Sequence, residues 1–268
     1  MQAREPSVEA RDYTESLFGA RGRRAVVTGA SSGLGAEMAR VLARAGADVL
    51  AVARRLERLE ALAEEDEPRD GRIVAHAADL ADPAQVDGIA DAARDRLGGC
   101  DVLVANAATY SIARLEQMEP DAFARDLEVN LHAQWRLCRA LHPLLRDSGA
   151  GRVIHVTSIY GQGAPAVNGL GAYAVAKHGV VGLTRSQAVE WSRDGITVNA
   201  IAPAYFPTEM TTDVMSDEKL KAKLLGRTPL RRFGRPEELA PALLFLASPA
   251  NGYVTGAVIP VDGGWTAW

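Results

Sequence analysis

Seven short apolar runs punctuate the chain, at 25–28, 48–53, 72–77, 101–106, 152–157, 196–201 and 257–261. Most are apolar throughout and do not alternate with polar residues. That is the pattern of parallel strands covered on both faces. Between them lie stretches with helical periodicity. In the first, Leu34, Met38, Val41, Leu42 and Ala45 recur at 3.6-residue spacing and stop at Gly46. A longer stretch from Pro120 to Arg146 predicts a helix with Phe123, Leu127, Leu131, Trp135, Cys138 and Leu141 turned inward. Strand–helix alternation carried through seven strands predicts an α/β fold, a doubly wound, seven-stranded parallel sheet of Rossmann type in a single domain over 20–268. Residues 1–19 read as a polar N-terminal tail, partly helical near Tyr13 to Phe18. The rhythm breaks between Pro203 and Pro236, where only a short charged helix around Asp217 to Leu225 is expected. The break follows a strand's carboxyl end, where open α/β sheets bind ligands. We therefore read 203–235 as a substrate lid.

Composition narrows the function classes. The 268 residues are 47% hydrophobic and 24% charged, with a formal charge of -4 from 30 basic and 34 acidic side chains. This balance and the lack of a basic stripe argue against nucleic acid or an anionic membrane as partner. Cys100 and Cys138 are too few and too far apart for a disulfide framework or a metal site. The first twenty residues show no signal-peptide core, and no apolar run is long enough to span a membrane, so a cytoplasmic location is expected.

Residues 28–35 read Thr-Gly-Ala-Ser-Ser-Gly-Leu-Gly, between the first strand and the first helix. Glycines there let backbone approach a pyrophosphate, and a helix N-terminus offers free N–H groups and a positive dipole end. The spacing of Gly29, Gly33 and Gly35 differs from the common G-x-G-x-x-G. A carboxylate ending the second strand would bind a ribose 2′-hydroxyl, whereas arginine suits a 2′-phosphate. The strand ends in Ala53-Arg54-Arg55. Arg54, helped by Ser31 or Ser32, favours NADP(H), with NAD(H) as the alternative if Arg54 and Arg55 only open an exposed helix with Glu57.

Tyr173 and Lys177 stand one helical turn apart. An ammonium beside a phenol lowers its pKa from about 10 and fits it for proton transfer near neutrality. Ser158 follows the fifth strand, and Asn130 interrupts an apolar helical run where a local reason is needed. Each residue has a plain structural alternative, a turn for Ser158 and a helix cap or core amide for Asn130. Their co-occurrence after a nucleotide loop favours an enzyme.

From about Gly22 to Trp265 the chain resembles the short-chain dehydrogenase/reductase family in its short single-domain branch. The resemblance rests on the glycine loop, Asp79-Leu80, 105–108, Asn130, Ser158, the Tyr173–Lys177 stretch, 201–208 and 253–265. It implies that Gly29, Ser31, Ser32, Gly33, Leu34, Gly35, Arg54, Arg55, Asp79, Leu80, Asn106, Ala107, Pro203 and Thr208 meet the cofactor, together with Tyr173 and Lys177. Asp79 would take the adenine amino group. Tyr173 would protonate the substrate carbonyl as hydride arrives, Lys177 would depress its pKa, Ser158 would orient the carbonyl, and Asn130 would hold a relaying water. Asn199 would fix the sheet beneath the site. The family's Asn-Asn-Ala-Gly is here Ala105-Asn106-Ala107-Ala108, and its Pro-Gly is Pro203-Ala204; both read as tuning.

The stretches 188–210 and 227–248 look like sugar-acid members of gluconate 5-dehydrogenase type and are also similar to 3-oxoacyl-carrier-protein reductases. Asp194, where those reductases often carry a basic residue, tilts the reading toward a small free substrate. Tyr160, Tyr205 and Phe206 are candidates for the substrate wall, and Arg227, Arg231, Arg232 and Arg235 for gripping a carboxylate. A nucleotide-sensing regulator on the same fold is the alternative of another class, expected to carry a broken tetrad. The resemblance also implies a homotetramer or homodimer, paired through about 120–147, 171–193 and 236–261 with Trp265 and Trp268.

Overall fold

The computed structural model describes residues 8–65 and 70–267. Residues 1–7 of the expected tail and Trp268 therefore lie outside the described residues. Every apolar run became a strand within two residues of its expected bounds: β1 (Arg24–Thr28), β2 (Asp48–Ala53), β3 (Ile73–Ala77), β4 (Val102–Ala105), β5 (Arg152–Val156), β6 (Thr197–Pro203) and β7 (Val258–Val261). They form one all-parallel sheet in the order β3-β2-β1-β4-β5-β6-β7. The order reverses between β1 and β4, which pair directly with Ala25 opposite Val102. A crevice opens beyond the carboxyl ends of the strands at such a switch point.

Period-2 alternation sends successive side chains to opposite faces. Val27, Val49, Ala51 and Val104 point to one buried layer, beneath α2 (Gly33–Arg44) and α10 (Ala240–Ala247). Val26, Leu50, Val52 and Leu103 point to the other, beneath α4 (Pro83–Leu97) and α6 (Ala133–Asp147). Both faces are dry, which is why the strands read as apolar runs. The helices α3 (Leu56–Glu64), α5 (Pro120–Leu127) and α7 (Gly171–Glu190) complete the two layers.

The N-terminal stretch is more ordered than a polar tail. It forms α1 (Val8–Phe18), packed against α10 and tied to the body where Ser248 Oγ donates to the Leu17 carbonyl at 2.5 Å. The helix expected over 120–146 is also interrupted. A π turn over Glu128–His132 separates α5 from α6. Cys138 and Leu141 face the core as expected, together with Ala133, Leu137 and Leu145, whereas Trp135, expected inward, is 46% exposed. Residues 203–235 hold two short helices, α8 (Thr212–Ser216) and α9 (Glu218–Arg227), the second capped by the Asp217 carboxylate accepting from Lys219 and Leu220 N–H. Among the described residues no helix is long and apolar enough to cross a membrane, and no cluster of metal-ligating side chains occurs.

Candidate active site

A cleft of about 720 Å³ lies at the switch point, walled by the glycine loop, the ends of β2 to β6 and residues 203–220. Its floor is set by the turn after β1. Gly29 (φ +68) and Gly33 (φ +56) occupy left-handed backbone that other residues rarely adopt. A Cβ on Gly29 would sit 2.7 Å from Asn106 Nδ2, and one on Gly35 2.5 Å from the same atom, so the turn needs glycine for close approach as well. Asn106 is the brace beneath it. Its Nδ2 donates to the Thr28 carbonyl at 2.9 Å, and its backbone N–H to Thr28 Oγ1 at 3.0 Å. The α2 N-terminus above this brace has no side-chain cap. Unpaired N–H groups, a positive dipole end and a backbone without Cβ atoms fit the pyrophosphate of a dinucleotide. Leu34, Asp79, Leu80 and Ala107 line the adjoining wall. Asp79 Oδ1 accepts from Ala81 N–H at 3.0 Å, which orders the turn after β3. No carboxylate ends β2.

The two arginines there divide the roles expected of Arg54 alone. Arg54 is exposed and lines the cleft. Arg55 is the one that meets the serines: its Nη2 donates to Ser31 Oγ at 3.0 Å and Ser32 Oγ at 2.9 Å. Arg55 occupies the N-cap of α3, and this position turns its side chain back toward the glycine loop.

On the other side of the cleft Ser158, Tyr173 and Lys177 line the wall, with Asn130 buried behind it and bonded to Thr109. Ser158 follows β5, where its Oγ accepts from Tyr160 N–H at 3.1 Å and caps a single 3₁₀ turn. Tyr173 and Lys177 project from one face of α7 toward it, the Lys177 ammonium 5.5 Å from the centre of the Tyr173 ring. Lys177 is 1% exposed and donates to the Val156 carbonyl at 2.8 Å. Burial drives the two pKa values apart. The phenol rises to about 12, an interaction with the Ser158 hydroxyl restraining it in part, and the ammonium falls to about 7. The expected depression of the tyrosine by the lysine is therefore absent from the protein alone. Removal from water, joined by the Tyr160 phenol, outweighs the bond from Ser158.

Asn130 sits in the π turn, whose wider coil makes room for its buried amide. Its Nδ2 donates to the carbonyls of Thr109 and Asp126, both at 2.7 Å, and its Oδ1 accepts from Thr109 N–H at 3.2 Å. Both amide hydrogens are occupied, which leaves a water relay only the second Oδ1 lone pair and the backbone carbonyl. Asp126, which sequence reasoning passed over, is fully buried and accepts from Ser111 N–H at 2.9 Å and Ser111 Oγ at 3.0 Å. Asp126 and Asn130 together hold residues 109–111 along the cleft. In the sequence Asp126 differs from its charged neighbours Arg125 and Glu128 only in lying four positions, about one helical turn, before Asn130.

Tyr160, Tyr205 and Phe206 all reach the cleft wall, as does Pro203. The Tyr160 and Tyr205 hydroxyls are hydrogen-bonded to each other, and Tyr205 packs 5.7 Å from Trp265 and 6.0 Å from Phe233, ring centre to ring centre. Thr208 lies over the glycine loop: a Cβ on Gly33 would come 3.1 Å from its methyl. The arginines expected to grip a carboxylate are elsewhere. Arg227 stacks on Trp265 at 4.7 Å, Arg231 bonds the Gly226 carbonyl, and Arg232 and Arg235 pair with Glu238. Arg125 of α5, which the sequence did not single out, lines the cleft in their place. Beneath the site Asn199 bridges β6 to the approach of β7, donating to Val254 O at 2.8 Å and accepting from Ala257 N–H at 3.0 Å.

Comparison with known proteins agrees with this geometry. A family model described as Enoyl-(Acyl carrier protein) reductase matches residues 29–266. Gluconate 5-dehydrogenase of Gluconobacter oxydans is 36% identical, over 93% of this chain and 97% of that protein. The 3-oxoacyl-acyl-carrier-protein reductase FabG of Thermotoga maritima is 35% identical, over 91% of this chain and 97% of its own length. The structure of a gluconate 5-dehydrogenase from Burkholderia cenocepacia, in complex with NADP and tartrate, superimposes with a TM-score of 0.88 at 34% identity, covering 95% of this chain and 99% of that one. By fold, cleft and full-length similarity, this chain belongs to the short-chain dehydrogenase/reductase family, as an NAD(P)-dependent oxidoreductase acting on CH–OH groups.

Proposed function

We propose that the protein interconverts a ketone and a secondary alcohol on a small hydroxy or keto acid of the sugar-acid type, with NADP(H) as the preferred cofactor. The observation that carries the chemistry is the convergence of Ser158, Tyr173 and Lys177 at the cleft wall opposite the glycine loop. When bound, the nicotinamide supplies or accepts the hydride. Ser158 and Tyr173 would grip the substrate oxygen. The Tyr173 hydroxyl, protonated at neutral pH because burial raises its pKa to about 12, is an acid ready to donate to a forming alkoxide. Lys177, with its pKa near 7, would return that proton. Asn130 and Asp126 would keep the 109–111 wall in place.

The sugar-acid reading draws on the gluconate 5-dehydrogenase relatives and on Arg125, a cleft cation able to pair with a carboxylate. The NADP reading draws on Arg54 and Arg55 at the end of β2, the serines beside them, and the NADP bound in the relative from Burkholderia cenocepacia. A carrier-protein reductase is the second reading, favoured by the similarity to the enzyme from Thermotoga maritima. Against it, Asp194 occupies the surface near the end of α7 and pairs with His142 at 2.9 Å, presenting a carboxylate where an acidic carrier would want a cation.

A panel of carbonyls and alcohols, followed at the nicotinamide absorbance with each cofactor, tests both readings. Gluconate or 5-ketogluconate is expected to turn over with NADP(H), and Arg125→Ala to raise KM about tenfold for acids while sparing neutral ketones. Turnover of a 3-oxoacyl thioester alone would transfer the assignment to the second reading.

We also propose a homotetramer. Trp135 on α6, and Val175 and Val189 on α7, are 46%, 49% and 77% exposed, apolar side chains on the helices expected to pair that a second copy would cover. Light scattering is expected to report four chains, and a monomer would overturn the assignment.

A further inference from the structure

A polar knot ties the glycine loop and α3 to residue 209. Arg55 holds Ser31 and Ser32 through its Nη2, and through Nη1 it donates to Glu209 Oε2 at 3.0 Å. Arg58, one turn into α3, pairs with the other oxygen of the same carboxylate. Glu209 follows Thr208 in the lid, 154 residues beyond Arg55. Two guanidiniums and two serine hydroxyls converging at the nucleotide cleft make the donor set of an anion site. The anion in it belongs to the chain. Its carboxylate is held down at about 2 by hydrogen bonds from Arg58, Arg55 and Ser32.

We infer that Glu209 is a specificity-determining residue that competes with the cofactor's 2′-phosphate for Arg55 and Arg58. The inference rests on the NADP(H) reading above. The charges decide the competition. A carboxylate brings one negative charge to two guanidiniums, whereas a phosphate monoester brings about -1.5 to -2 at neutral pH and three acceptor oxygens. The phosphate is the better complement of the pair and displaces Glu209. A cofactor without it leaves Glu209 in place, and with it the bond between the lid and α3. The carboxylate thus lowers affinity for the phosphorylated cofactor alone. It also ties the lid's first turn, Glu209–Thr211, to the choice of cofactor.

The test is equilibrium titration of wild type, Glu209→Gln and the double variant Arg54→Ala/Arg55→Ala, with NADPH and NADH, read by nicotinamide fluorescence. Glu209 is on the surface, and glutamine keeps its size. Glu209→Gln is expected to lower the Kd for NADPH by three- to tenfold and to change that for NADH less than twofold. The arginine variant is expected to raise the Kd for NADPH at least tenfold and leave NADH nearly unchanged. If Glu209→Gln leaves NADPH binding unchanged or weaker while the arginine variant still loses NADPH selectively, the phosphate site stands and the competition is wrong. Loss of both cofactors to the same degree in the arginine variant removes the phosphate reading, and this inference with it.

Discussion

Tyr173→Phe is expected to lower turnover by about a thousandfold or more while the Kd for the nicotinamide cofactor stays within about threefold. The magnitude follows from the role. A positioned acid contributes on the order of 10² to 10⁴ in rate, and neither Ser158 nor Lys177 could substitute for it. Ser158 has a hydroxyl pKa far too high to replace it, and Lys177 is directed at the Val156 carbonyl. The binding expectation follows from location, because the glycine loop, Asn106 and the arginines lie across the cleft from α7. Phenylalanine also keeps the ring, and with it the packing over Lys177 at 5.5 Å, so the fold should survive. Steady-state rates and a fluorescence titration on the same preparation separate the two effects. A variant retaining more than a tenth of wild-type turnover would remove Tyr173 as the acid. Parallel loss of rate and cofactor affinity would point to a disturbed cleft.

Much of this site could be anticipated because its parts are local. A glycine turn between a strand and a helix, and a tyrosine and lysine four residues apart, have geometry set within one turn of chain. The strands were equally accessible, since burial on both faces leaves continuous apolar runs such as Val49–Ala53. What escaped depends on distant partners. The π turn at Glu128–His132 has no periodic signature, and Trp135 stands on the surface although Cys138 and Leu141 of the same helix face the core as expected. Whether Arg54 or Arg55 meets Ser31 and Ser32 depends on which way the first turn of α3 points, which composition does not encode. The pairing of Arg232 and Arg235 with Glu238, rather than with the cleft, is a contact within residues 232–238 that was hidden by the reading of 203–235 as a single lid. The order of the Tyr173 and Lys177 pKa values is a matter of depth below the surface, and sequence spacing carries no information about that.

That depth leads to the second large effect, on Lys177. The ammonium has a pKa of about 7 in the folded protein against 10.5 as its ordinary value, burial being the cause. Between those values the unfolded chain binds more protons at this position than the native one. Unfolding free energy therefore rises with pH across this window, by at most about 1.4 kcal/mol per pH unit. Other groups bound the range in which this is visible. His155, lowered to about 4 by burial, exerts its effect below its ordinary value of 6.5. Cys100 and Cys138, raised by burial from 9.0 to about 12, favour the folded state less and less above pH 9, and together they outweigh the lysine there. Denaturation of the cofactor-free protein in urea should thus show stability climbing by roughly 2 kcal/mol or less from pH 7 to 8.5 and falling beyond about pH 9. Lys177→Met fills the same space without a charge. It should flatten the rise, retain the fall due to the thiols, and lower turnover by about a hundredfold or more, because Tyr173 would lose the group proposed to return its proton. A rise of the same slope in Lys177→Met would show that some other group titrates in this window. Full turnover in the variant would show that the proton reaches Tyr173 by a path that does not include this lysine.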